Sequence, residues 1–168
     1  MTRERRFRPA VVVGLLTAFV AAAVVAAFAV VPATAITPVS PGPPDPQIRD
    51  GTAQRELDAA RDRWAALGVR SYRLRVRVSC FCPDTIRRAR TIVVRRGKPV
   101  GPVPSHLRRY ATVPRLFTRV QDAIDADVAR LTATYGAHGV PKTIYVDQSE
   151  MIADEEQGVT VDRFKAGG

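Results

Sequence analysis

The fold is decided by the stretch Tyr72-Arg73-Leu74-Arg75-Val76-Arg77-Val78-Ser79, in which apolar and polar residues alternate without a break. Successive side chains of a β-strand point to opposite faces of its sheet, so this alternation predicts a half-buried strand. The arginines fall on one face with Phe81, and two strand rises, about 6.6–6.8 Å, separate successive arginines. We take Arg73, Arg75, Arg77 and Phe81 as a candidate binding surface.

A helix is predicted before this strand and further strands are predicted after it. Residues 52–67 place apolar side chains on one helical face, and Gly68 follows where a helix-ending residue of positive φ belongs. Residues 91–95 are β-branched and run into Arg96-Gly97-Lys98. This pattern predicts a strand, a tight turn and a short strand near Val100.

The second half of the sequence again gives a helix followed by strands. Thr112 is suited to cap a helix that has Pro114 in its first turn. Residues 131–135 and 144–146 predict a hairpin, and residues 159–164 predict a last strand. Consecutive strands favour antiparallel pairing. The predicted fold class is α+β: an antiparallel sheet packed by two helices, preceded by an N-terminal hydrophobic helix and a Pro-rich linker.

Residues 1–35 are predicted to be a membrane anchor or a signal peptide. Four arginines precede an uncharged, almost wholly apolar run of 22 residues from Ala10 to Val31, and about 20 such residues span a bilayer as a helix. We favour an anchor formed by residues 10–31; the alternative is secretion after cleavage following Ala35, at a small-x-small site. Because the basic flank stays inside, the rest of the chain is predicted to be extracytoplasmic, with the membrane as a partner.

A Pro-rich linker is predicted over residues 36–50. Five of the ten residues from Thr37 to Pro46 are proline, which favours an extended polyproline spacer. The α+β domain is assigned to residues 51–168, which is enough chain for one core of ordinary size.

Charge is segregated along the chain of 168 residues, which carries 26 Lys+Arg and 16 Asp+Glu. Residues 61–119 hold sixteen Lys+Arg and two acids, whereas the chain from Val120 holds four bases and nine acids. The functional interpretation is a cationic surface for an anionic envelope component or a protein partner. The simpler interpretation is a solvated face that is balanced by an acidic cluster, for which a surface loop is expected rather than a Ca²⁺ site. That cluster comprises Asp147, Glu150, Asp154, Glu155 and Glu156.

The segment Cys80-Phe81-Cys82-Pro83 follows the alternating stretch and contains both cysteines of the chain. An exported protein with two cysteines normally pairs them. Residues i and i+2 of a regular strand are about 6.6–6.8 Å apart, whereas a disulfide needs Cβ atoms about 3.5–4.5 Å apart, so the strand must bulge or end here. Three states stay open: a local disulfide, a redox-labile or soft-metal-binding dithiol, and buried free thiols.

No catalytic motif is found in the sequence. There is no G-x-S-x-G elbow, no P-loop and no G-x-G-x-x-G, and His106 and His138 each stand alone. We therefore expect no catalytic residue, no cofactor and no metal site, and a protein that is not an enzyme. Nucleic acid is not expected as a partner, because the domain is placed outside the cell and no aromatic residues are interleaved with the arginines.

A set of spaced motifs runs through the predicted domain. It comprises Trp64 with Tyr72, Ser79-Cys80-Phe81-Cys82-Pro83, Gly97, Thr112-Val113 with Leu116-Phe117, Tyr135, Gly139, Pro141, Asp147 and Asp154-Glu155-Glu156. These motifs resemble an uncharacterised family of exported bacterial proteins, domain of unknown function 6174, over about residues 52–164. The resemblance implies a small envelope or secreted domain and supplies no activity. Gly136 and Val140 depart from the family pattern, which has Asp after Tyr135 and an aromatic residue before Pro141.

Two hypotheses follow from these features. The first is a non-catalytic exported or membrane-anchored extracytoplasmic domain that binds a protein or envelope component through the sheet and the corner at residues 80–83. The second is a thiol-disulfide or soft-metal-handling protein that uses Cys80 and Cys82.

Overall fold

A computed structural model of the protein describes residues 42–149 and 156–167. The predicted hydrophobic helix at residues 10–31, the first part of the predicted linker, and Glu150, Asp154 and Glu155 lie outside these ranges. Within them, no helix has the length and apolarity needed to cross a bilayer.

Six strands of the described chain form one sheet, and all neighbouring strands are antiparallel. The strands are β1 (Tyr72–Ser79), β2 (Arg90–Arg95), β3 (Lys98–Val100), β4 (Arg130–Tyr135), β5 (Pro141–Asp147) and β6 (Gln157–Ala166). Their spatial order is β3-β2-β1-β6-β5-β4, so the last strand lies between the β1–β3 meander and the β4–β5 hairpin. The α+β class with an antiparallel sheet is confirmed.

Four α-helices and a 3-10 helix accompany the sheet within the described ranges. They are α1 (Pro46–Arg49), α2 (Thr52–Leu67), α3 (Asp84–Arg87), the 3-10 helix Ser105–Tyr110, and α4 (Val113–Asp125). The helix α2 ends where Gly68 adopts a φ of 64°. The helix α4 begins where Thr112 Oγ1 accepts a hydrogen bond from Arg115 N at 3.3 Å. The end of α2 and the start of α4 are therefore those that the sequence predicts.

The core lies between one face of the sheet and the helices α2 and α4. Alternate side chains of β1 are buried in it, namely Tyr72, Leu74, Val76 and Val78. The stripe that α4 buries is made of Val113, Leu116, Phe117, Val120 and Ala123. Trp64 of α2 makes edge-to-face contacts with Tyr72 and Phe164, at ring-centroid distances of 5.3 and 5.8 Å. Tyr72 Oη also accepts a hydrogen bond from Val113 N at 3.1 Å, which fixes the first turn of α4 to β1.

The helix α1 lies inside the range assigned to the linker. Asp45 precedes it and is buried; its carboxylate accepts hydrogen bonds from Gln47 N at 2.7 Å and from Leu131 N at 3.0 Å. Its own N–H donates to Val128 O at 2.9 Å. An aspartate followed by proline is a favourable helix start, because the carboxylate caps the helix and the proline lacks the N–H that would need capping. The structure therefore places residues 45–50 against the domain rather than in an extended spacer.

Candidate functional site

The strand β1 presents three arginines on the face of the sheet that points away from the core, which we call the open face. Arg73, Arg75 and Arg77 are all exposed, in strict alternation with buried neighbours. Arg75 and Arg77 each keep 54% of their side-chain area accessible. The structure thus places the three predicted arginines side by side along one strand.

The strand β6 adds two cations directly beside these arginines. Lys165 lies opposite Arg73, and Arg163 lies opposite Arg75, in the register of the two strands. Directly opposed residues have Cβ atoms about 4.5–5.5 Å apart, and like charges at such positions destabilise a sheet. We call Arg73, Arg75, Arg163 and Lys165 the cationic quartet. Together with Thr91 they surround a depression of about 300 Å³.

A single described carboxylate pairs with the cations of β1. The register of β1 with β6 shifts between Arg75 and Val76, and Asp162 is the extra residue of this bulge. Its Oδ1 lies 3.3 Å from Arg77 Nη2, and its Oδ2 lies 4.0 Å from Arg75 Nε. No other acid in the described ranges forms an ion pair with the quartet or with Arg77. Positive charge is therefore in excess on this part of the open face.

The other half of the open face carries hydroxyl groups. The strand register sets Thr132 opposite Tyr145, Thr134 opposite Thr143, and Thr143 opposite Thr160. Burial and a hydrogen bond with Glu156 raise the pKa of the Tyr145 hydroxyl. The open face is thus divided into a cationic half centred on β1 and a hydroxyl-rich half centred on β5.

The described members of the predicted acidic cluster lie away from the quartet. Asp147 is buried at the end of β5, where its carboxylate accepts a hydrogen bond from Ser149 N at 3.1 Å. Glu156 is exposed and contacts Tyr145 on the hydroxyl-rich half. Neither forms an ion pair with the arginines of β1, and the other three members lie outside the described residues. In the described part of the chain, no group of three or more His, Cys, Asp or Glu residues could hold a metal ion.

The strand β1 ends at Ser79, and a disulfide joins the next residue, Cys80, to Cys82. Their Cα atoms are 5.3 Å apart, and Cys82 N donates a hydrogen bond to Cys80 O at 2.9 Å. The strand therefore ends where the sequence predicts a bulge or an end. Of the three states considered for the two cysteines, the structure has the local disulfide. Phe81, between the two cysteines, is 88% exposed.

A depression of about 550 Å³ lies between the open face and the segment after the disulfide. Its lining includes Arg77, Ser79, Thr160, Asp84, Arg87 and Arg88. Arg87 also lines a smaller depression, of about 310 Å³, together with Phe81. We call residues 80–88 the disulfide corner. Through Arg87, the corner connects the exposed Phe81 to the row of arginines on β1.

Sequence reasoning finds the arginines of β1 but misses the cations that join them. Arg163 and Lys165 alternate with Phe164 in the last strand, which is a local signal for one face. Their position beside Arg75 and Arg73 depends on the pairing of β6 with β1, which no local pattern shows. Arg87 and Arg88 are missed because α3 has only four residues and gives no periodic signal.

The fold and these surfaces define an α+β domain with a cationic open face and a disulfide corner. Residues 56–166 match the model of a family of unknown function, DUF6174, and the chain belongs to that family. The resemblance of the spaced motifs to domain of unknown function 6174 is thereby confirmed, and the exported, bacterial character of its members stays a prediction. Neither the curated proteins nor the solved structures include a match to the chain.

Proposed function

We propose that the protein is a non-catalytic binding domain, held outside the plasma membrane, whose open face binds phosphate groups of an anionic envelope component. The observation that carries this proposal is that like charges lie directly opposite each other in two pairs, Arg73 with Lys165 and Arg75 with Arg163. Like charges directly opposite each other destabilise a sheet, so each pair lowers the stability of the free protein. An anion bound between the four side chains would attract all of them and so offset their mutual repulsion.

The chemistry of the quartet suits binding rather than catalysis. Guanidinium and ammonium groups are donors only and stay charged at neutral pH, so they neither accept a proton nor act as nucleophiles there. Arginine offers a planar fork that binds two phosphate oxygens at once. Thr91 adds a hydroxyl at the edge of the same depression. The set is therefore complementary to phosphate oxygens.

The location outside the membrane rests on the predicted anchor at residues 10–31 and its basic flank. A reporter fused to the C-terminus and active only outside the cytoplasm supports this part of the proposal. A reporter active only inside the cell contradicts it, and with it the envelope as the source of the ligand.

The binding test uses the full chain in a nonionic detergent with inorganic polyphosphate as the probe. We expect R75Q/R163Q to raise the dissociation constant by about tenfold or more, because two charge-assisted contacts are removed. R49Q is the matched control, since Arg49 is exposed on α1. Wild type and R49Q should both bind less tightly as salt rises, since salt screens exposed charges. If R75Q/R163Q and R49Q bind polyphosphate with equal affinity, the quartet is not the binding site.

A second candidate function, thiol-disulfide exchange, draws on the disulfide itself. The bond closes a ring between residues two apart, so it gains little of the loop entropy that stabilises longer cross-links. Arg87 lines the depression beside it and would favour a thiolate. Thiol titration and a measured reduction potential decide this candidate. A very low potential with no exchange removes it, whereas a potential near those of dithiol oxidoreductases supports it.

A further inference from the structure

We propose that the disulfide corner docks the domain on an anionic phospholipid bilayer, with Phe81 inserted among the head groups and Arg77, Arg87 and Arg88 on lipid phosphates. This inference rests on the proposed function, because it names the anionic envelope component as a lipid surface. It adds a site that the quartet does not include.

Phe81 is held in a position where its ring meets solvent. The disulfide directs the side chains of residues 80 and 82 towards each other, so the side chain between them is left outside the small ring. Two large hydrophobic residues are exposed in the described ranges, Phe81 and Val100. Phe81 is the more exposed of the two, at 88% against 51% for Val100. An aromatic ring that is so exposed, and that is held in place by a neighbouring disulfide, can bury apolar area against an apolar partner.

Positive charge surrounds this ring. Arg87 lines the depression beside Phe81 and also the larger one that Arg77 and Arg88 line. Two of these arginines are in exposed ion pairs, Arg77 with Asp162 and Arg87 with Asp84. Exposed pairs of this kind contribute little free energy, so a phosphate can replace the carboxylate at small cost. Arg88 pairs with no acid among the described residues.

An exposed aromatic ring beside several cations matches the boundary between lipid head groups and acyl chains. The negative surface potential of an anionic leaflet attracts basic residues near it, and the ring adds burial of apolar area. A hydrophilic polyanion in solution would use the arginines and leave Phe81 in water. The combination therefore favours a bilayer over a soluble polymer.

The predicted anchor and linker would keep this surface close to the bilayer. Ten residues, 32–41, lie between Val31, the end of the predicted anchor, and Gly42, the first described residue. Eleven residue steps of at most about 3.6 Å each limit the separation of these two residues to about 40 Å. A domain held that close to a bilayer meets it at a high effective concentration, so weak contacts at the corner are sufficient.

The test places the full chain in lipid nanodiscs and measures insertion at a single position. The variant F81W reports insertion through quenching of its fluorescence by lipids with brominated acyl chains, against the signal that Trp64 gives in the wild type. V100W is the matched control, since Val100 is the other exposed hydrophobic residue. In discs that contain phosphatidylglycerol, we expect several-fold stronger quenching for F81W than for V100W. In discs of phosphatidylcholine alone, or after R87Q and R88Q are added to F81W, we expect this excess to disappear.

Two results would overturn the inference. Equal quenching of F81W and V100W in phosphatidylglycerol discs would exclude insertion of the corner. Equal quenching of F81W in both kinds of disc would exclude recognition of lipid phosphate. Either result leaves the proposed function standing if R75Q/R163Q still weakens polyphosphate binding. Conversely, F81W could insert while the quartet binds no polyphosphate. That result would support docking by the disulfide corner and contradict anion binding by the open face.

Discussion

At the residue scale, Gly139 is the point where the β4–β5 hairpin comes closest to α2. A Cβ added there would lie 2.0 Å from Ala60 O, and the φ of Gly139 is 76°. Both features disfavour any other residue, because the clash is with backbone and the conformation is left-handed. At this position the hairpin can approach the backbone of α2 so closely only with glycine.

Replacing Gly139 tests this contact. We expect G139A to lower the free energy of unfolding by about 3 kcal/mol, since the hairpin or α2 must shift. Urea denaturation measures the change, and G136A is the control because its added Cβ would make only ordinary contacts, with the Lys142 side chain at 3.5 Å and Val140 O at 3.7 Å. If both variants unfold at the same urea concentration, the hairpin does not pack on α2 as described.

Tyr135 has a buried hydroxyl that has no hydrogen-bond partner among the described residues. Tyr72 has a hydroxyl that accepts a hydrogen bond from Val113 N. The two positions therefore predict opposite effects of the same substitution. Y135F should stabilise the protein by about 1 kcal/mol, and Y72F should destabilise it by about 1 kcal/mol. Thermal unfolding measures both, and effects of the same sign would contradict this difference between the hydroxyls.

Tyr135 also predicts a dependence of stability on alkaline pH. Burial, followed by the charge of Glu56, raises its pKa from 10.0 to about 12. Because the folded pKa lies above the unfolded value, the titration of Tyr135 leaves stability unchanged well below pH 10 and lowers it as the pH rises from about 10 towards about 12. The unfolding midpoint of Y135F should fall less between these pH values than that of the wild type. A parallel fall would show that Tyr135 does not contribute.

At the element scale, the alternation of residues 72–79 is enough to predict β1, which of its side chains are buried and where its arginines stand. The ends of α2 and α4 are also readable, because Gly68 and Thr112 act through local backbone chemistry. The pairing of β6 with β1 is not readable, because it joins strands far apart in sequence and depends on the whole core. The sequence therefore predicts half of the cationic quartet.

The short helix α1 provides a prediction about how the start of the domain is fixed. Replacing Asp45 by Ala leaves Leu131 N without its acceptor and removes the cap of α1. We expect D45A to lower the free energy of unfolding by about 2 kcal/mol and to speed hydrogen exchange at the Leu131 amide. D50A is the control, since Asp50 is exposed and accepts from Thr52 N. Unchanged exchange at Leu131 would mean that Asp45 does not tie residues 42–50 to β4.

At the scale of the whole molecule, the two faces of the sheet differ in burial and in charge. One face holds the core with α2 and α4, and the open face carries a cationic half and a hydroxyl-rich half. The acids that balance the composition lie mostly in the second half of the sequence, and the described ones on the cationic half are limited to Asp162 and Asp84. A face with such an excess of one charge attracts anionic partners over distances that shrink as salt rises.

We propose that the like-charge pairs of the quartet lower the stability of the free protein and serve anion binding. The most direct measurement is thermal unfolding of the full chain in nonionic detergent, with and without inorganic polyphosphate, for wild type and R75Q/R163Q. Without polyphosphate, R75Q/R163Q should unfold at a higher temperature than the wild type, because one opposed pair of charges is gone. With polyphosphate, the wild type should gain more stability than the variant, since only its intact quartet binds the ligand tightly. A variant that is less stable without polyphosphate, or that gains as much from it as the wild type, would contradict the account.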